Sequence, residues 1–230
     1  NKGIYLKKLM ITSEKSEVES DKFNMISNGL DDFKYFVDSV EFDARLNKSS
    51  IDLSETSLFA HFLKGMNDTI ELSTSIEKKF KCLKLKNFDL KILNKTQVKG
   101  TINLPDYRNI KSSFFNERID YAYIDIVELE SIKLPNSLNL SHIKLDPTIK
   151  RLKYIKTRDI QLDGFYSQFV IAGKDIKTKL GSIKIDNGIL FKKNLAKNIY
   201  TFQQSNSNKY DIKIEKFNLG ELIKNKNIGL

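Results

Sequence analysis

The sequence predicts an all-β protein, an antiparallel sheet with one apolar face and one solvated face. Three observations predict it. Apolar and polar residues alternate at period two along much of the chain. Clusters of Asn and Ser fall between the alternating runs, where tight turns favour them. Helical periodicity is weak. Alternation of this kind marks a sheet with one wet side, and its order along the chain predicts a meander of hairpins.

The strands follow in order. Val40, Phe42, Ala44 and Leu46 alternate with Glu41, Asp43 and Arg45. Ile70, Leu72, Thr74 and Ile76 alternate with Glu71, Ser73, Ser75 and Glu77, and Val98, Gly100, Ile102 and Leu104 with Lys99, Thr101 and Asn103. Ile183 with Ile185, and Tyr210 with Ile212 and Ile214, repeat the pattern. Turns are expected at Asn47-Lys48-Ser49-Ser50, Asn67-Asp68, Asn94-Lys95, Asp186-Asn187-Gly188 and Ser205-Asn206-Ser207-Asn208. One short helix is expected over residues 125–133, capped by Asp125, with Glu128 at the capping-box position and Pro135 beyond its end. Weaker candidates lie at 107–115 and 220–224.

The chain has 230 residues, of which 40% are hydrophobic, enough to exclude a disordered class. With only 10 Gly and 3 Pro it is neither collagen-like nor low-complexity. No apolar run approaches the roughly 20 residues of a membrane-spanning helix. The start at Asn1, with no signal pattern, is expected of a fragment of a longer protein.

Lys and Arg number 39 against 29 Asp and Glu, a net charge of +10. Only five of these cations are arginines, and the lysines alternate with apolar residues, as in Leu83-Lys84-Leu85-Lys86. That pattern places them on the wet face of a sheet. No basic cluster interleaved with aromatics stands out in the sequence, so no nucleic-acid partner is expected.

Catalytic chemistry is missing from the pattern, and no enzyme activity, cofactor or metal is expected. His61 and His142 stand far apart and fit no metal motif. Cys82 is the lone cysteine and has no activating neighbour in sequence. Asp31-Asp32 follow Asn28-Gly29 and suit turn chemistry. No nucleophile elbow or phosphate loop occurs. Gly164, Gly173, Gly181 and Gly188 suit bulges and bends in a curved sheet.

An internal echo links Leu83-Lys84-Leu85-Lys86-Asn87-Phe88-Asp89-Leu90 with Ile212-Lys213-Ile214-Glu215-Lys216-Phe217-Asn218-Leu219. In both, the apolar residues switch parity after a polar pair. A bulge at Asn87 and another at Lys216 would keep one face apolar through the switch.

Several ordered segments resemble recurrent blocks of TamB-type proteins of the AsmA-like superfamily. One runs from Thr96-Gln97-Val98-Lys99-Gly100-Thr101-Ile102-Asn103-Leu104-Pro105-Asp106 to Phe114-Phe115. A second is Leu162-Asp163-Gly164-Phe165-Tyr166-Ser167-Gln168-Phe169-Val170-Ile171-Ala172-Gly173, continued by Thr178-Lys179-Leu180-Gly181-Ser182. A third is Lys216-Phe217-Asn218-Leu219-Gly220-Glu221-Leu222-Ile223, ending in Ile228-Gly229. The resemblance covers residues 80–230 best, so the chain divides into sub-units 1–79 and 80–230 of one segment. Gln168 departs from the family's acidic residue, and Leu162-Asp163-Gly164 lacks a second glycine.

The resemblance implies an elongated, curved antiparallel sheet folded into an open groove, β-taco-like. It implies a periplasmic bridge, anchored in the inner membrane through a segment outside this chain, with membranes at both ends of the full-length protein. Its groove would carry phospholipid acyl chains toward the outer membrane. With a TamA-like outer-membrane barrel partner it would support outer-membrane protein assembly. Parity assigns the groove lining to Ile70, Leu72, Ile76, Leu83, Leu85, Phe88, Leu90, Val98, Ile102, Ile183, Ile185, Ile212 and Ile214. The alternative is a structural or adhesive β-sandwich, in which the same residues form a closed core.

Overall fold

The structure, a computed structural model, describes residues 2–58, 63–103, 112–136, 142–194, 199–203 and 212–223. Twelve strands form one open sheet: β1 (Lys2–Thr12), β2 (Glu17–Ser27), β3 (Glu41–Asp52), β4 (Thr69–Lys79), β5 (Lys84–Ile92), β6 (Thr96–Asn103), β7 (Phe114–Asp125), β8 (Tyr154–Phe165), β9 (Gln168–Thr178), β10 (Gly181–Asn194), β11 (Ile199–Gln203) and β12 (Ile212–Glu215). Each strand from β1 to β10 pairs antiparallel with its successor, and β12 joins β11 along the free edge of β10. The all-β, antiparallel expectation therefore holds, and the described strands make one sheet, where a sandwich needs two.

Among the described residues five α-helices of four or five residues interrupt the meander: α1 (Phe36–Ser39), α2 (Leu53–Thr56), α3 (Ile126–Leu129), α4 (Pro147–Lys150) and α5 (Leu219–Ile223). The helix expected over 125–133 is thus a single turn, capped by Asp125. The third candidate is α5, which begins one residue before 220. Residues 107–111 of the second candidate lie outside the described residues, and Phe114 and Phe115 open β7.

Extra residues in mid-strand set the curvature. Successive pairs slip register at Asp21 in β2, Asn87 in β5, Asp120 in β7 and Asp159 in β8, and around Asp175 in β9. Asn87, Asp159 and Asp175 have φ of 50°, 52° and 54°. Asn and Asp reach this left-handed region more readily than other side chains, because their short polar groups hydrogen-bond locally. Each extra residue reverses side-chain parity and bends its strand. In β5 the apolar residue before the bulge is Leu85; those after it are Phe88, Leu90 and Ile92. Asn87 is therefore the expected bulge. Lys216 also has φ of 50°, but there the chain leaves β12 for α5 instead of continuing as strand.

Two expected turns prove to be strand interiors. Asn47-Lys48-Ser49-Ser50 lies within β3, where register slips between Leu46 and Ser49. Asp186-Asn187-Gly188 lies within β10, where two extra residues separate Ile185 from Ile189. Turn chemistry and bulge chemistry draw on the same residue types, and alternation alone does not separate them. Asn67-Asp68 and Asn94-Lys95 do lie between strands, whereas Ser205–Asn208 falls outside the described residues.

Candidate functional site: the apolar face of the sheet

Register places the apolar residues of neighbouring strands opposite one another. Across mid-sheet, Leu72 pairs with Leu90, Leu90 with Val98 and Val98 with Ala122. A parallel row joins Leu6, Phe23, Ala44, Ile76, Leu85 and Ile102. Ile119 pairs with Ile160, Leu162 with Ile171 and Ile171 with Ile189. Ile176 pairs with Ile183 and Ile183 with Ile214; Gly173 pairs with Ile185 and Ile185 with Ile212. One face is thus apolar from the first strand to the last. It spans ten inter-strand steps of about 4.8 Å, roughly 48 Å.

Of the thirteen expected lining residues, twelve lie on strands and join this face. Leu83 does not: it follows a 3-10 turn at Phe80–Cys82 and precedes β5, so no strand neighbour pairs with it. Only Phe88 is fully buried, 2% exposed, opposite Gly100 where no side chain competes for the space. The other strand-borne members are half-buried, and Ile212 and Ile214 on the edge strand are 44% and 55% exposed. The face is lined but not covered.

The opposite face is polar and, in the N-terminal half, ion pairs join neighbouring strands. Lys22 meets Asp43 at 2.5 Å, Lys86 meets Glu77 at 2.6 Å and Lys99 meets Asp89 at 2.8 Å. Burial opposes ionisation of Asp89, but hydrogen bonds from Lys99 and Gln97 and the nearby lysine charges hold its carboxyl below the ordinary range.

The connections at one end of the sheet are closed by a clasp that occurs twice. Asp52 caps α2, its carboxylate accepting from the backbone N–H of Ser54 and Glu55. The Glu55 carboxylate then accepts from the hydroxyls of Ser13 and Ser16 and the N–H of Lys15, in the β1–β2 turn. Seventy-three residues on, Asp125 caps α3 through the N–H of Val127 and Glu128. The Glu128 carboxylate accepts from the N–H of Lys95 and of Thr96 and from the Thr96 hydroxyl, in the β5–β6 turn. Glu128 stands where a capping box would need it, yet its side chain serves the neighbouring hairpin instead.

The equivalence extends to the backbone. Leu53 N–H donates to Asp68, the residue before β4, and Ile126 N–H to Lys153, the residue before β8. A third, looser version follows β12. Glu221 N–H donates to the Asn218 side chain, and Asn218 N–H donates to Leu180 in the β9–β10 turn. The shared signal is Asp/Asn, Leu/Ile, any residue, Glu: Asp52-Leu53-Ser54-Glu55, Asp125-Ile126-Val127-Glu128 and Asn218-Leu219-Gly220-Glu221. The sequence echo aligned Asn218-Leu219 with Asp89-Leu90, but the structural counterparts are Asp52-Leu53 and Asp125-Ile126.

The far end of the apolar face is aromatic. Phe169 stacks on Phe191 with ring centroids 5.5 Å apart and meets Phe115 at 6.0 Å. Gly164 lies between the strands of Phe115 and Phe169 with φ of 145°, and a Cβ there would come within 2.6 Å of Phe169 Cα. One carboxylate, Glu117, sits on this face opposite Leu162. Burial pushes its carboxyl up, although the Asn103 N–H donates to it at 2.7 Å.

The remaining polar candidates do structural work or lie apart. Asp32 accepts from Asn28 N–H and Asp31 pairs with Lys34, as turn residues do. Cys82 is a half-buried free thiol. His142 forms an isolated bridge with Lys133, and its buried Nδ1 has no partner among the described residues. His61 lies outside the described residues. Among the described residues no cluster of metal-ligating side chains occurs and no helix is long and apolar enough to cross a membrane. Comparison with known proteins finds no matching family model, curated protein or solved structure.

Proposed function

We propose that this chain is a segment of a TamB-like bridge of a Gram-negative envelope, and that its apolar face carries phospholipid acyl chains across the periplasm. The observation that carries the reading is the apolar face that runs from β1 to β12, most of its large side chains half-exposed. Each strand added to a meander lengthens such a row by about 4.8 Å, so a longer protein of this design makes a longer track. Acyl chains gain about 0.8 kcal/mol per buried methylene, hence roughly 10 kcal/mol or more for some 16 carbons, with no polar contact required. A charged headgroup remains in water at the open side.

In this reading the inner-membrane anchor and the TamA-like barrel partner belong to parts of the protein beyond this segment. Photo-crosslinking side chains at Leu85 and Ile102, on the apolar face, are expected to capture phospholipid in Gram-negative cells. Those at Glu71 and Lys91, on the polar face, are expected not to. Equal capture from both faces, or none from either, overturns the conduit.

A further inference from the structure

The polar face carries its cations differently in its two halves. In β2–β6 lysines reach acidic partners on neighbouring strands even where a like charge stands opposite, as Arg45 does to Lys22. In β8–β9, Lys156 pairs with Lys177 and Arg158 with Lys174, and beyond them Lys184 pairs with Lys213. Like charges directly opposite one another destabilise a sheet. Lys156, Arg158, Lys174 and Lys177 have no ion pair among the described residues. The acidic neighbours are engaged elsewhere: Asp159 faces Arg118 at 4.0 Å, Asp175 faces Lys184 at 3.8 Å, and Asp163 accepts from Asn116 and Gln161.

The same face carries exposed aromatic surface toward the other end of these strands. Phe114 and Phe165 meet edge to face at 5.2 Å and are 56% and 45% exposed. Tyr166, in the β8–β9 turn, and Val170 lie beside them and are also exposed. From Arg158 to Phe165 is seven residues of strand, about 23 Å. One face thus presents unneutralised cations and, a short distance away, apolar rings.

From this charge pattern we infer that the polar face of β7–β9 docks on an anionic bilayer surface, with the Lys156–Arg158–Lys174–Lys177 quartet over lipid phosphates and the Phe114–Phe165 pair at the interface. Cations attract anionic headgroups, and aromatic side chains favour the headgroup level. Each basic side chain near such a surface strengthens binding about fivefold. This docking does not require the opposite face to carry lipid, so the two readings stand or fall separately.

The test is flotation of the full chain with vesicles of phosphatidylcholine, alone or with about one-third phosphatidylglycerol. Binding is expected only to the anionic vesicles and weakens with salt. Changing the quartet to Gln is expected to weaken it at least a hundredfold, with the melting temperature unchanged or raised because like-charge repulsion is relieved. Changing Lys22, Lys86, Lys91 and Lys99 to Gln removes the same net charge and is expected to leave binding near wild type. Equal loss in both variants, or none in the quartet variant, overturns the proposal. So does tighter binding of a single-stranded oligonucleotide that the quartet variant abolishes. The chain lacks Trp, so Phe165→Trp supplies a single reporter. Its emission is expected to shift to the blue on anionic vesicles, and no shift overturns the placement of the aromatic pair.

Discussion

The clasped end of the sheet and its middle differ in how they treat apolar residues. At the clasped end, Leu53, Ile126, Leu180 and Phe217 are all under 10% exposed, although each lies in or beside a connection. In the middle, Leu72, Leu90, Val98 and Ile102 lie on regular strands and are only half-buried. Regular strand pairing fixes the backbone there without closing anything over it. At the clasped end, carboxylates hold short turns against neighbouring hairpins, and the apolar residue next to each cap is sealed. Leu53 and Ile126 are sealed beside their clasps, whereas Phe88 in mid-sheet and Val40 at the opposite end are sealed without one.

The largest effect that sharpens this contrast is a pair of truncations. Ile126→Ala is expected to cost about 2–5 kcal/mol, the range for a fully buried side chain. Leu90→Ala is expected to cost well under half of that, because its side chain is already partly in water. Urea unfolding measures both, and equal costs would mean that the mid-sheet face is covered after all.

Next in size is the cap itself. Asp125→Ala leaves two helical N–H groups without their acceptor and is expected to cost about 1–2 kcal/mol. The same carboxylates set a pH response. Burial opposes ionisation of Asp52 and Asp125. The cap hydrogen bonds, with Lys15 near the first and Lys95 near the second, nevertheless hold both below the ordinary 3.8. A lowered folded-state pKa gives stability that is present above the ordinary value and lost as pH falls through the lowered one. Denaturation from pH 7 downward is therefore expected to show the clasps weakening below about pH 4, and Asp52→Asn with Asp125→Asn is expected to flatten that decline. Glu117 has the opposite sign. Its raised pKa makes ionisation costly once pH climbs past the ordinary 4.5, and Glu117→Gln is expected to remove that penalty.

The smallest effects separate the two clasps. Glu55→Gln is expected to speed hydrogen exchange at Lys15 and leave Lys95 and Thr96 protected, and Glu128→Gln to do the reverse. If either variant loosened both hairpins together, the clasps would not be independent units.

Much of this architecture was legible in the sequence. Ile70, Leu72 and Ile76 announced their face by plain alternation, and the parity switch at Asn87 announced its bulge. Other bulges were hidden, because Asp120, Asp159 and Asp175 look like ordinary polar positions until partner strands reveal an extra residue. The clasps were half visible. Asp125 read correctly as a cap, but Glu128 read as its local partner when its true partners lie some thirty residues back.

The sequence by itself determined the strand period, the apolar composition of one face and the caps, since each depends on near neighbours and on the intrinsic geometry of the backbone. Only the tertiary structure decided which rows align, which end is sealed and where cations stand opposite cations. Those are properties of register, and register is set by hydrogen bonding between residues far apart in the chain.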